Sequence, residues 1–133
     1  MDHPFDSCLR QELDSLHQGL YDSLDKLDMH GESIAIEAIR KLLTYACQNQ
    51  HIGHITTARN RLSLVPSQLL IKLIPSIAET TLNLDDSWEY RRFLELLRIT
   101  HCPLLMTYIN RGQNSNSSEV REAANDFVHY TKL

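Results

Sequence analysis

Residues 9–28 read LRQELDSLHQGLYDSLDKLD, and this stretch decides the fold class. Leu9, Leu13, Leu16, Leu20, Leu24 and Leu27 recur at steps of 4, 3, 4, 4 and 3, which lays one apolar stripe along a helix of 3.6 residues per turn. Phe5 extends the stripe backwards. Asp14, Gln18, Asp22 and Asp25 fall on another face of the same helix. Pro4 and Asp6 supply start signals and Gly31 a stop, so the spacing predicts one amphipathic helix over residues 1–30, apolar inside and acidic outside.

Beyond Gly31 the helical period continues. Ile34, Ala38, Leu42, Tyr45 and Ala46 line one side of a second helix, and Ile36, Ile39 and Leu43 widen its apolar face enough for contacts on two sides. Gln48 to His51 is a polar break before a third helix over roughly residues 52–64. Pro66 sits where a fourth helix can begin, and Pro75 inside it predicts a kink or a staggered start. Asn83 to Ser87 form a capped turn before a fifth helix from Trp88 to Ile99. Pro103 opens a sixth helix, the Gly112–Ser118 stretch is a loop, and Glu119 to Tyr130 form a seventh helix. No strand-like alternation competes, so the expected class is all-α with about seven helices. With 133 residues the chain fits one domain with its own core.

Three of these helices align in register. Arg59, Arg91 and Arg121 occupy the same place, and Ala58, Tyr90 or Val120 comes just before each. Leu62, Leu94 or Ala124 follows three residues later, and Val65, Leu97 or Phe127 six residues later. The last unit carries the fullest pattern, with Pro103-Leu104-Leu105 opening one helix and Ser118-Glu119-Val120-Arg121-Glu122-Ala123-Ala124 opening the next. In these residues the chain resembles the HEAT-type antiparallel helical repeat. The middle unit departs from it with bulky Phe93 and Leu94, and the first unit retains only Ala58-Arg59. The resemblance implies three stacked helix pairs, over residues 33–65, 66–100 and 101–133, behind an N-terminal capping helix. Arg59, Arg91 and Arg121 would then bond acids or carbonyls of neighbouring repeats, or join Arg61, Arg92 and Arg98 in a basic strip.

Composition narrows the function classes. The net charge is −4, and residues 1–30 hold seven acids against two bases, a local −5, while the remainder is close to neutral. That asymmetry suits a basic partner and disfavours general nucleic-acid binding. No run of 18 apolar residues predicts a membrane span, and residues 1–4 do not read as a signal peptide, so a cytoplasmic location is expected. Cys8, Cys47 and Cys102 are widely spaced and odd in number, as reduced, buried structural thiols would be.

Chemistry-bearing motifs do not assemble. His51-Ile52-Gly53-His54 matches a nucleotide-binding signature that works only after a strand, and none is predicted here. His51 and His54, or His101 beside Cys102, lack further ligands at a recognisable metal spacing. Asp85, Asp86 and Glu89 precede a helix, where carboxylates cap rather than catalyse. No catalytic, cofactor or metal residue is therefore expected.

The leading expectation is a protein-binding module without catalysis, and its sharpest form is a small bacterial immunity-type or inhibitor protein that binds a toxin or enzyme. Its candidate interface residues are Asp14, Asp22, Asp25 and Asp28, facing a basic partner, and Trp88, Tyr90, Arg91 and Arg92. The alternatives are a scaffold or adaptor repeat domain, nucleic-acid binding through the arginine strip, and a helical enzyme whose site is assembled across helices.

Overall fold

The computed structural model describes residues 4–131, with side chains from Ser7 onward. The expected start signals at Pro4 and Asp6, and the stripe's extension to Phe5, lie outside the described side chains. Seven α-helices follow one another, and no strand occurs among the described residues. They are α1 (Pro4–Leu16), α2 (Glu32–Gln48), α3 (Ile52–Leu62), α4 (Ser67–Thr81), α5 (Ser87–Ile99), α6 (Leu105–Gln113) and α7 (Ser118–Phe127). A 3-10 segment covers Leu20–His30, and a short 3-10 turn covers Val128–Thr131.

The single helix expected over residues 1–30 is two elements. Gly19 adopts φ 78°, ψ 9°, a left-handed conformation that glycine enters at little cost and that no α-helix continues through. The chain then runs as 3-10 turns, interrupted at Ser23 and Lys26, where φ falls to −127° and −117°. Three residues per turn bring positions i, i+3 and i+6 into line. Tyr21, Leu24 and Leu27 accordingly form the buried edge and Asp22, Asp25 and Asp28 the exposed one. Asp14 closes the junction, its Oδ1 accepting from the Tyr21 backbone N–H at 2.9 Å.

α2 is the central helix. Its fully buried residues include Ala35, Ala38, Ile39, Leu42, Leu43 and Ala46, and the small ones let neighbouring helices approach. It contacts α1, α3, α4, α5 and the 3-10 segment, which is why its apolar face is so broad. α6 pairs with α7, and α5 packs on both. Pro75 is accommodated within α4, which remains helical from Ser67 to Thr81. The regular part of α6 begins at Leu105, two residues beyond Pro103.

Between α5 and α6 one contact is especially close. Tyr90 is fully buried, and its hydroxyl donates to the Tyr108 carbonyl at 2.6 Å. Gly112 is the reason it fits, because a Cβ there would lie 1.9 Å from the Tyr90 hydroxyl oxygen. The Phe93 and Tyr108 rings meet edge-to-face beside it, 4.7 Å apart.

Candidate functional site

The capping residues before α5 settle the role of one acidic cluster. Asp86 Oδ1 accepts from the Trp88 backbone N–H at 2.9 Å, and Glu89 accepts from the Asn83 N–H at 2.8 Å. These bonds hold the turn and start α5, as caps do. They leave the Trp88 indole in the first turn, directed outward and 70% exposed. An exposed tryptophan places one of the largest apolar surfaces of any side chain in water, and such residues anchor interfaces. The Arg92 guanidinium lies over this ring, 5.7 Å from its centroid, and donates to the Asn49 carbonyl. Trp88 and Arg92 border a groove of about 420 Å³ with Gln48, Gln50, Asp86 and Glu89. Ile52, 68% exposed, follows the loop that forms one wall.

The other members of the predicted interface separate. Tyr90 is withdrawn from it: the ring is fully buried, and burial pushes its hydroxyl up to about 12, so it offers nothing to a partner. Arg91 is directed away from Arg92 and pairs with Asp126 at 2.9 Å. Arg121 donates to the Ser115 carbonyl at 2.7 Å.

The acidic candidates also divide. Asp14 is half-buried and occupied by the Tyr21 N–H. Asp22 meets Arg10 at 2.5 Å, and the hydrogen bond from that guanidinium holds its carboxyl below the usual value. Arg10 and Arg61 both lie over the Tyr21 ring, at 4.4 and 3.9 Å. Asp25 and Asp28 remain exposed on the 3-10 ridge, next to Met29.

A third surface was not singled out as a unit by the sequence. On α5, Trp88, Arg92, Glu95 and Arg98 recur at steps of 4, 3 and 3 and share one side of the helix. Arg98 donates to Glu95 at 2.7 Å and lies over the Tyr130 ring at 4.5 Å. Arg59 of α3 lies within electrostatic reach of Arg92, Glu95 and Arg98. Burial holds its guanidinium below its ordinary value, with Glu95 opposing the shift and the two arginines adding to it. The helical step on α5 was readable in advance, whereas the approach of α3 was not.

Cys47 and Cys102 are buried free thiols, and desolvation pushes Cys47 up to about 12 and Cys102 upward, whereas Cys8, expected to be buried with them, is exposed on α1. His51 caps α3, its Nδ1 accepting from the Gly53 N–H, so the His51–His54 stretch begins a helix rather than a phosphate-binding turn. Among the described residues, no three His, Cys, Asp or Glu side chains converge as a metal site, and no helix is long and apolar enough to cross a membrane. No protein-family model, curated protein or solved structure matches the chain.

Proposed function

We propose that this chain is a protein-binding module without catalysis, and that it engages its partner through the Trp88 face of α5. The observation that carries this reading is the outward-facing Trp88, stacked with Arg92 beside a groove and followed across the loop by exposed Ile52. An aromatic anchor with an arginine beside it is the usual composition of an interface centre. The adaptor form of the reading gains from this face, since much of its contact energy would be apolar. The HEAT-like arrangement is part of the same proposal, supported by the packing of α2 on α3, α6 on α7, α2 on α4 and α5 on α7.

The inhibitor form rests on a different observation, the acidic 3-10 ridge. Only Asp25 and Asp28 keep it open to a basic partner, because Asp14 and Asp22 are engaged internally. Affinity capture from cells that express the protein separates the two forms when wild type, Trp88→Ala and the double variant Asp25→Lys/Asp28→Lys are compared at low and high salt. Loss of a salt-resistant partner with Trp88→Ala supports the adaptor form. Loss of a salt-sensitive basic partner with the double variant supports the inhibitor form in its place. Retention of every partner by both variants overturns the module reading.

A further inference from the structure

His17 directly follows α1, and His30 ends the 3-10 segment. One unbroken helix over these residues would hold the two side chains about 20 Å apart, at 1.5 Å per residue. The corner at Gly19 instead brings the rings together, with centroids 4.4 Å apart and planes inclined by 47°. The hydrogen bonds around the pair fix which nitrogen of each ring holds the hydrogen. His17 Nδ1 lies 3.1 Å from the Gln18 carbonyl oxygen. A carbonyl only accepts, so Nδ1 bears the hydrogen and Nε2 keeps its lone pair. Ser23 Oγ gives its one hydrogen to the Gly19 carbonyl at 3.0 Å, so it accepts from His30 Nε2, which lies 3.5 Å away. His30 Nδ1 then keeps its lone pair. Histidines that bind metals are held in the same way, donating from one nitrogen to an oxygen and ligating through the other.

We propose that His17 Nε2 and His30 Nδ1 chelate one divalent ion of the imidazole-binding kind, Zn²⁺ foremost, with waters completing its coordination. This site lies apart from the Trp88 face and does not depend on how that face is used. The spacing suits the chemistry. Zn²⁺ binds an imidazole nitrogen at about 2.0–2.1 Å, and the ring centre lies about 1.1 Å beyond it, so two imidazoles on one ion have centres about 4.5–5 Å apart. The pair needs to open by only a few tenths of an ångström. His17 is exposed, and Gly19 and Gly31, whose surroundings are open, give the backbone room on either side. The other histidine pair fits less well, because His51 Nδ1 is spent in accepting from the Gly53 N–H. Mg²⁺ and Ca²⁺ seek oxygen ligands, which two imidazoles do not supply. With two protein ligands the ion acts as a clasp, tying the end of α1 to the end of the 3-10 segment across the corner.

The test is a titration of the full chain with zinc chloride, followed by calorimetry and by the nitrogen resonances of the imidazole rings. His17 Nε2 and His30 Nδ1 should shift together and saturate at one ion per chain. Saturating Zn²⁺ should raise the melting temperature by about 2 °C or more, and a chelator should reverse the rise. His17→Ala and His30→Ala should each weaken binding about tenfold or more, and His54→Ala on α3 should leave it unchanged. His17 is exposed, so His17→Ala decides the matter should His30→Ala fail to fold. Mg²⁺ is the control for the exposed Asp25 and Asp28, which attract any divalent cation, and it should move neither ring. Four results overturn the proposal: rings that respond separately or not at all, an unchanged affinity in His17→Ala, an equal response to Mg²⁺, or binding that disappears in Cys8→Ser while both histidines remain.

Discussion

Residues 4–30 and residues 87–113 are held by opposite means. The N-terminal stretch turns a corner at Gly19 and is fastened by separate local devices. These are Asp14 on the Tyr21 N–H, Arg10 on Asp22, and two guanidiniums over the Tyr21 ring. Each is a separate polar contact, and each can be removed by one substitution. The α5–α6 region is held by interdigitation, with a fully buried tyrosine seated where Gly112 has no side chain. Close packing is less forgiving than hydrogen bonding, because a core relaxes only partly around a change in volume. The N-terminal stretch therefore adds polar fastenings to its buried leucines, whereas the α5–α6 contact turns on fit.

That contrast can be broken most easily at Gly112. Gly112→Ala places a methyl on the Tyr90 hydroxyl and ring, and should destabilise the protein by about 3 kcal/mol in chemical denaturation. A variant as stable as wild type would mean that α5 and α6 slide freely, and the contrast would fail. Asp14→Ala should cost about 1 kcal/mol, as the loss of a cap does, and should speed amide exchange at Tyr21 ahead of the rest of the chain. Gly19→Ala meets nothing within 4 Å, so its cost of about 1 kcal/mol should come from the left-handed backbone alone. The smallest effect is a difference in acid sensitivity. Asp22 is lowered chiefly by a hydrogen bond from Arg10, and Glu119 by backbone and the hydroxyls of Ser117 and Ser118. A lowered folded-state value means that each contribution is present above the ordinary carboxylate range and lost as pH falls through the lowered value. Salt should shrink the Asp22 part and spare the Glu119 part, read as acid melting curves of Asp22→Asn and Glu119→Gln in low and high salt.

The same contrast explains what could be read in advance. Helices α2 to α7 announced themselves through caps and breaks, such as the Gly112–Ser118 loop before α7 and the Asn83–Ser87 turn before α5, and their bounds fell within a few residues of expectation. Residues 20–30 did not, because leucines at steps of 3 and 4 satisfy a 3.6 period almost as well as a 3.0 period. The triplet of Tyr21, Leu24 and Leu27 above Asp22, Asp25 and Asp28 was visible, and Gly19 was the residue that should have divided the stripe. On the surface, Trp88 beside Arg92 was legible from helical spacing. The inward position of Tyr90 was not, since an aromatic beside a tryptophan reads equally as interface or core until the helix is rotated against α6. Arg59 reached the α5 strip only through tertiary packing, which no local pattern records.

The seat that Gly112 makes for Tyr90 has a consequence on the timescale of evolution. Two positions separated by 22 residues, and by a turn and parts of two helices, are bound into one unit of inheritance. A drifting lineage that gains any side chain at position 112 must first, or at once, shrink the one at position 90. In descendants of this chain the two sites should therefore change as a pair, while Gly19, which faces open space, is held only by its own left-handed backbone and has no partner position to change with it.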